Sequence, residues 1–141
     1  MKTILTVEES RRLIDLGVDP KLASATRYTI SETEEYCGYK REITVTYGYI
    51  NNYLSADSIF TLADILSILP KEIEDSNLDI ISTQVDIKNH KKVSGWIATY
   101  IDSHNDLAFG NESVFQSPEL IDALNQLLIW CLESKIKLKE D

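Results

Sequence analysis

Apolar residues recur along this chain with two different periods, and the switches between them divide it into elements. Thr6-Val7-Glu8-Glu9 has the form of a capping box, with Thr6 at the N-cap and Glu9 three residues on. The helix it opens places Val7, Leu13, Ile14 and Leu16 on one side and Glu8, Ser10, Arg11 and Arg12 outward. Gly17 suits the left-handed turn that ends a helix, and Asp19-Pro20 predicts one more short turn with Asp19 as its cap. Residues 26–30 favour a strand, and residues 32–35 read as a polar connection. Residues 41–50 alternate, with Ile43, Val45, Tyr47 and Tyr49 on one face.

A polar loop is expected over residues 51–58. Thr61 then caps a helix carrying Leu62, Ile65, Leu66 and Leu69, which Pro70 ends. Two strands follow, near residues 78–88 and 93–102, joined by the polar hairpin connection Asn89-His90-Lys91-Lys92. In the second of them Val93, Ile97 and Ile101 share one face while Trp96 and Tyr100 share the other. Ser117, Pro118 and Glu119 signal the start of a last helix, with Ser117 as N-cap. Its stripe of Leu120, Ile121, Leu124, Leu127, Leu128, Cys131 and Leu132 is extended almost all round by Ile129 and Trp130. Such a helix is either deeply buried or shared with another subunit. Residues 135–141 set cations near its C-terminus and then fray.

Two of the helical stretches follow the same pattern, L-x-D-x-L-x-x-L, at Leu62 to Leu69 and at Leu120 to Leu127. Each follows two strand-like segments and an aromatic residue, Phe60 or Phe115. The chain can therefore be read as two ββα units, at about 26–70 and 78–134, behind an N-terminal helix. The competing reading is that amphipathic helices look alike, with Asp64 and Asp122 facing solvent. Strands arriving in adjacent pairs favour antiparallel pairing. The expected architecture is one α+β domain over residues 1–141, a mainly antiparallel sheet with helices packed on one face.

Composition narrows the partners more than the fold. The 141 residues are 43% apolar and 26% charged, enough for a real hydrophobic core and unlike a disordered chain. A formal net charge of −9 disfavours nucleic acid and anionic lipid, and favours a basic protein partner. The two cysteines, Cys37 and Cys131, have neither zinc-ligand nor disulfide-framework spacing, consistent with a reducing, cytoplasmic setting. The first residues turn acidic before a signal-peptide core forms, and residues 120–132 are too few to span a bilayer.

Candidate chemistry is thin. In Asp102-Ser103-His104-Asn105-Asp106 the alternate residues Asp102, His104 and Asp106 are weak metal-ligand candidates, without the glycine and distal glutamate of a calcium loop. Asp, Ser and Asn also build turns through their own backbone, and the segment reads first as a turn. His90 sits among lysines in a hairpin turn, and Cys37 has Lys40 and Arg41 only a turn away. No nucleophile elbow, Walker loop or dinucleotide fingerprint occurs, so no catalytic residue and no cofactor is assigned. Tyr28, Tyr36, Tyr39, Tyr47, Tyr49 and Tyr53 make the first half tyrosine-rich. Sheet packing is the first reading for Tyr47 and Tyr49, and Tyr49 also joins Ile129 and Trp130 as an interface candidate. The carboxylates Glu32, Glu34 and Glu35, and Glu72, Glu74 and Asp75, read as solvated loop charges, with phosphate mimicry as the sharper alternative.

Three segments carry a resemblance. They are Leu5-Thr6-Val7-Glu8-Glu9-Ser10 with Leu16-Gly17-Val18-Asp19; Phe60-Thr61-Leu62-Ala63-Asp64-Ile65-Leu66 leading to Leu69-Pro70-Lys71-Glu72-Ile73; and Pro118-Glu119-Leu120-Ile121-Asp122-Ala123-Leu124. On these the chain resembles a group of small bacterial proteins of unassigned function carried on prophages and other mobile elements. The resemblance implies a cytosolic accessory protein and supplies no catalytic residues. The first expectation is thus a non-enzymatic accessory or interaction protein, self-associating as a homodimer through Ile129 and Trp130. The second is an acidic inhibitor or immunity-type protein covering a basic partner. The third is a small enzyme or metal-binding protein using residues 102–106.

Overall fold

The computed structural model describes residues 1–34, 37–46, 49, 51, 53–87 and 91–136. His90, Tyr36, Tyr47 and the tail beyond residue 136, all singled out in the sequence, lie outside them. The chain is of the α+β class, with three α-helices and two antiparallel sheets among the described residues. Its contacts gather into two compact units, Ile4–Asp64 and Met1–Thr3 with Ile65–Asp141.

In the unit Ile4–Asp64 the capping box forms. Glu9 donates its N–H to Thr6 Oγ1 at 3.1 Å, and Thr6 donates to Glu9 Oε1 at 2.9 Å, opening α1 (Val7–Asp15). Gly17, at φ +110°, donates to Ile14 O while Val18 donates to Leu13 O, and both ends of this Schellman closure, Leu13 and Val18, are buried. Asp19 caps the next turn through Lys21 N–H at 2.9 Å. Ser10 departs from its predicted outward place: it is fully buried, and its hydroxyl accepts the Phe60 N–H at 3.2 Å. A small polar side chain on the helix's inner side is tolerated because it satisfies a backbone donor.

Strand β1 (Ala25–Glu34) pairs antiparallel with β2 (Cys37–Val45), from Thr26↔Val45 to Glu34↔Cys37. The expected polar connection at residues 32–34 is therefore strand, because the hairpin register carries it. The β2 strand starts and ends earlier than expected, and Tyr49 lies beyond it, 78% exposed. The expected loop over residues 51–58 contains β3 (Ser55–Ile59), which pairs with the other edge of β1, giving the order β2-β1-β3. Ser, Ala and Asp have little strand propensity; pairing with β1 overrides it. Arg11 of α1 bonds Asp57 at 2.8 Å, and Leu5 donates to Phe60 O at 2.9 Å. Leu5, Leu13, Val18, Ala25, Tyr28, Ile59 and Phe60 are the buried apolar residues of this unit, and Tyr28 meets the Tyr53 ring at 4.9 Å.

Helix α2 (Leu62–Ile68) opens on Thr61, whose Oγ1 accepts Asp64 N–H at 3.2 Å while Asp64 Oδ2 accepts Thr61 N–H at 2.8 Å. Asp64 is not solvent-facing: only 6% exposed, it also takes the Ser24 N–H and bonds the Ser24 hydroxyl. Ser24 and Asp64 thus fasten the entry to β1 onto the start of α2.

The unit with Ile65–Asp141 is built on a four-stranded sheet ordered β4-β5-β6-β7. Its strands are β4 (Glu72–Ile73), β5 (Ser76–Ile87), β6 (Lys91–Ile101) and β7 (Phe115–Ser117). The long hairpin runs in register from Asn77↔Ile101 to Ile87↔Lys91. Helix α3 (Leu120–Glu133) packs on β6 and β7. It starts two residues later than the sequence signals suggest. Ser117 ends β7, and its hydroxyl accepts Glu119 N–H at 3.2 Å, closing a turn before the helix instead of capping it. Glu119 stands at the N-cap, and its carboxylate accepts the Lys2 backbone N–H at 2.9 Å. The Lys2 ammonium reaches Asp122 at 2.7 Å, so Asp122 is ion-paired. Both halves of the chain thus run hairpin, short strand, helix, yet β3 docks on the first strand of its hairpin and β7 on the second strand of its own.

Candidate functional site

The two faces of the β5–β6 hairpin have different fates. Leu78, Ile80 and Ser82 of β5 lie opposite Tyr100, Ala98 and Trp96 of β6 and share the face on which α3 packs. There Tyr100 is fully buried, donates its hydroxyl to Pro70 O at 2.7 Å, and meets the Cys131 thiol of α3. Phe109 stacks edge-on against Tyr100 at 6.4 Å and tilted against Trp130 at 5.2 Å. The interface candidate Trp130 is thereby half-buried in an intramolecular aromatic cluster, and Ile129 is half-buried beside it in sequence. Burial pushes the Cys131 thiol up to about 11 against a smaller opposing effect of the Tyr100 hydrogen bond, and burial likewise raises Tyr100.

On the opposite face the described residues show no helix packed as α3 is. Ile81 of β5 lies across from Ile97 of β6, and Asp79 from Thr99. With Ile101 they floor a groove of about 560 Å³, walled by Asn105 and Leu107 after β6 and by Asn111 and Val114 before β7. Ile81 and Leu107 remain 46% and 41% exposed. Thr99 is only 2% exposed, and its Oγ1 is a buried atom with no hydrogen-bond partner; among the described residues only Asn125 Oδ1 of α3 shares that condition. Buried hydroxyls nearly always find a partner, so Thr99 marks the floor as a place where a bound group can supply one.

The wall owes its shape to residues 102–106. Asp102 Oδ1 accepts the N–H groups of His104 at 2.8 Å and Asp106 at 3.0 Å, and Asp102 N–H donates to Asp106 O at 2.9 Å. Asn105 takes the left-handed conformation at φ +62°, which Asn tolerates. Leu107 then bridges back to Ile101. Asp102, His104 and Asp106 are brought together by the Asp102 carboxylate binding backbone, with the His104 and Asp106 side chains exposed. Among the described residues no group of three metal-capable side chains converges.

The groove had a signal in the sequence. Both faces of β6 are apolar, through Trp96 and Tyr100 on one and Ile97 and Ile101 on the other, while α3 packs on one of them. Residues 107–114 carry no such periodic signal, and their place in the wall emerges only from the loop geometry. No helix among the described residues is long and apolar enough to cross a membrane. The chain matches no family model, no curated protein and no solved structure.

Proposed function

We propose that this protein is a protein-interaction module whose binding surface is the face of the four-stranded sheet opposite α3. The observation that carries this reading is the concentration of Ile81, Ile97, Ile101, Leu107 and Val114 on one concave face, with Ile81 and Leu107 more than two-fifths exposed. Contiguous apolar surface of this kind costs free energy in water and marks sites that another molecule covers. The polar groups around it, Asp79, Asn105 and Asn111, form the rim that gives such a patch its specificity. The likeness to prophage-borne proteins at residues 5–10, 16–19, 60–66, 69–73 and 118–124 supports an accessory role in a bacterial mobile element.

The test is site-specific photo-cross-linking in bacterial cells. A photo-reactive amino acid at position 81 should give a discrete protein adduct, while the same group at the comparably exposed Leu22 should not. Equal adducts at both positions, or none at 81, would overturn the reading.

A further inference from the structure

We infer that the groove's occupant is an extended, basic and aliphatic segment of a partner protein, with a lysine ammonium seated between Asp79 and Thr99. The inference rests on the interaction reading above and adds the chemistry of the partner. Asp79 and Thr99 are directly opposed across β5 and β6 on the face opposite α3. Opposed side chains in such a ladder have Cβ atoms about 4.5–5.5 Å apart, close enough for one cation to touch both. Among the described residues Asp79 is the only ionisable one lining the groove, and none of them is a cation. None of the ion pairs formed between described residues uses the Asp79 carboxylate.

Thr99 Oγ1 completes the seat. It is buried with no partner, and a hydroxyl oxygen has two lone pairs that an ammonium N–H can use. An ammonium carries three donors, enough for the carboxylate and the hydroxyl together. Around this polar pair the floor is aliphatic: Ile81 and Ile97 on one side, Ile101 and Leu107 on the other. A segment with aliphatic, basic and aliphatic side chains at alternate positions presents all three to one face when extended, which matches this order. The net charge of −9 attracts such a segment from a distance, and Asp106 and Glu112, exposed next to the wall residues, add to that attraction.

The probe is a labelled peptide repeating leucine-serine-lysine-serine-leucine, with a counterpart in which glutamate replaces lysine. The lysine peptide should bind and shift the amide resonances of Ile81, Ile97 and Leu107; the glutamate peptide should not. Asp79→Asn should weaken binding about tenfold or more, whereas Glu112→Gln, outside the lining, should change it by about twofold at most. Thr99→Val keeps the shape and removes the hydroxyl. It should leave the protein at least as resistant to urea and still weaken binding about threefold or more, a split that a purely structural role does not produce. Equal binding of both peptides, or indifference to Asp79→Asn, would overturn the inference. If the position-81 cross-link captures a protein whose contacting segment is acidic or neutral, the inference fails and the interaction reading stands. If neither peptide nor protein engages the face, both fail. A dimer in sedimentation that Ile81→Asp dissociates would seat a second copy there and overturn it too.

Discussion

Ser10 and Asp64 look like ordinary surface polar residues in the sequence, yet each closes a backbone account in the interior. Ser10→Ala leaves the buried Phe60 N–H without its acceptor. The expected cost is about 1–3 kcal/mol, read as a lower midpoint in urea at an unchanged slope. Cys131 and Tyr100 give the molecule an alkaline edge. Both bind their protons more tightly when folded than when unfolded, because burial penalises the charged forms. The Cys131 contribution is thus fully present below the ordinary thiol value of 9.0 and is lost as pH rises through the folded value of about 11, while that of Tyr100 begins to be lost only above the ordinary phenol value of 10.0. Melting temperature should fall across that window. Cys131→Ala should make the decline shallower, leaving the part that belongs to Tyr100.

At the scale of elements, the caps were the most legible features and the short strands the least. Thr6, Gly17, Asp19 and Thr61 all act as their chemistry dictates, since a cap depends only on residues within one turn. Gly17→Ala tests this. Nothing lies within 4 Å of a Cβ at that position, so the cost comes from the left-handed backbone alone, about 1–2 kcal/mol by thermal or urea unfolding. Strand β3 was illegible for the opposite reason: Ser55, Ala56, Asp57 and Ser58 acquire strand geometry from β1, about thirty positions earlier in the chain. Ser117 shows how two local signals compete. Pairing with Trp96 holds it in β7, so its hydroxyl serves the turn and Glu119 takes the cap. The candidate groove was half legible: two-sided apolarity of β6 pointed to it, but which face α3 covers depends on tertiary packing.

For the whole molecule, folding and binding draw on different faces of the same sheet. Residues facing α3, such as Ala98 and Tyr100, are fully buried, whereas Ile81 is 46% exposed. Ile81→Thr keeps a β-branched residue and should shift stability by no more than about 0.5 kcal/mol. It should at the same time reduce binding of an environment-sensitive hydrophobic dye, and a large loss of stability would show that the face serves folding instead. Another consequence follows from Lys2, whose backbone and ammonium hold Glu119 and Asp122. The ribosome makes Lys2 more than a hundred residues before these partners. Hairpin β1–β2 and its neighbours in Ile4–Asp64 have their whole sequence in hand long before then. A nascent chain halted near residue 110 should therefore be open to a lysine-specific protease at Lys2, and the released full-length chain should resist it. Synthesis leaves Lys2 waiting, and only the emergence of α3 and its cap ties it down.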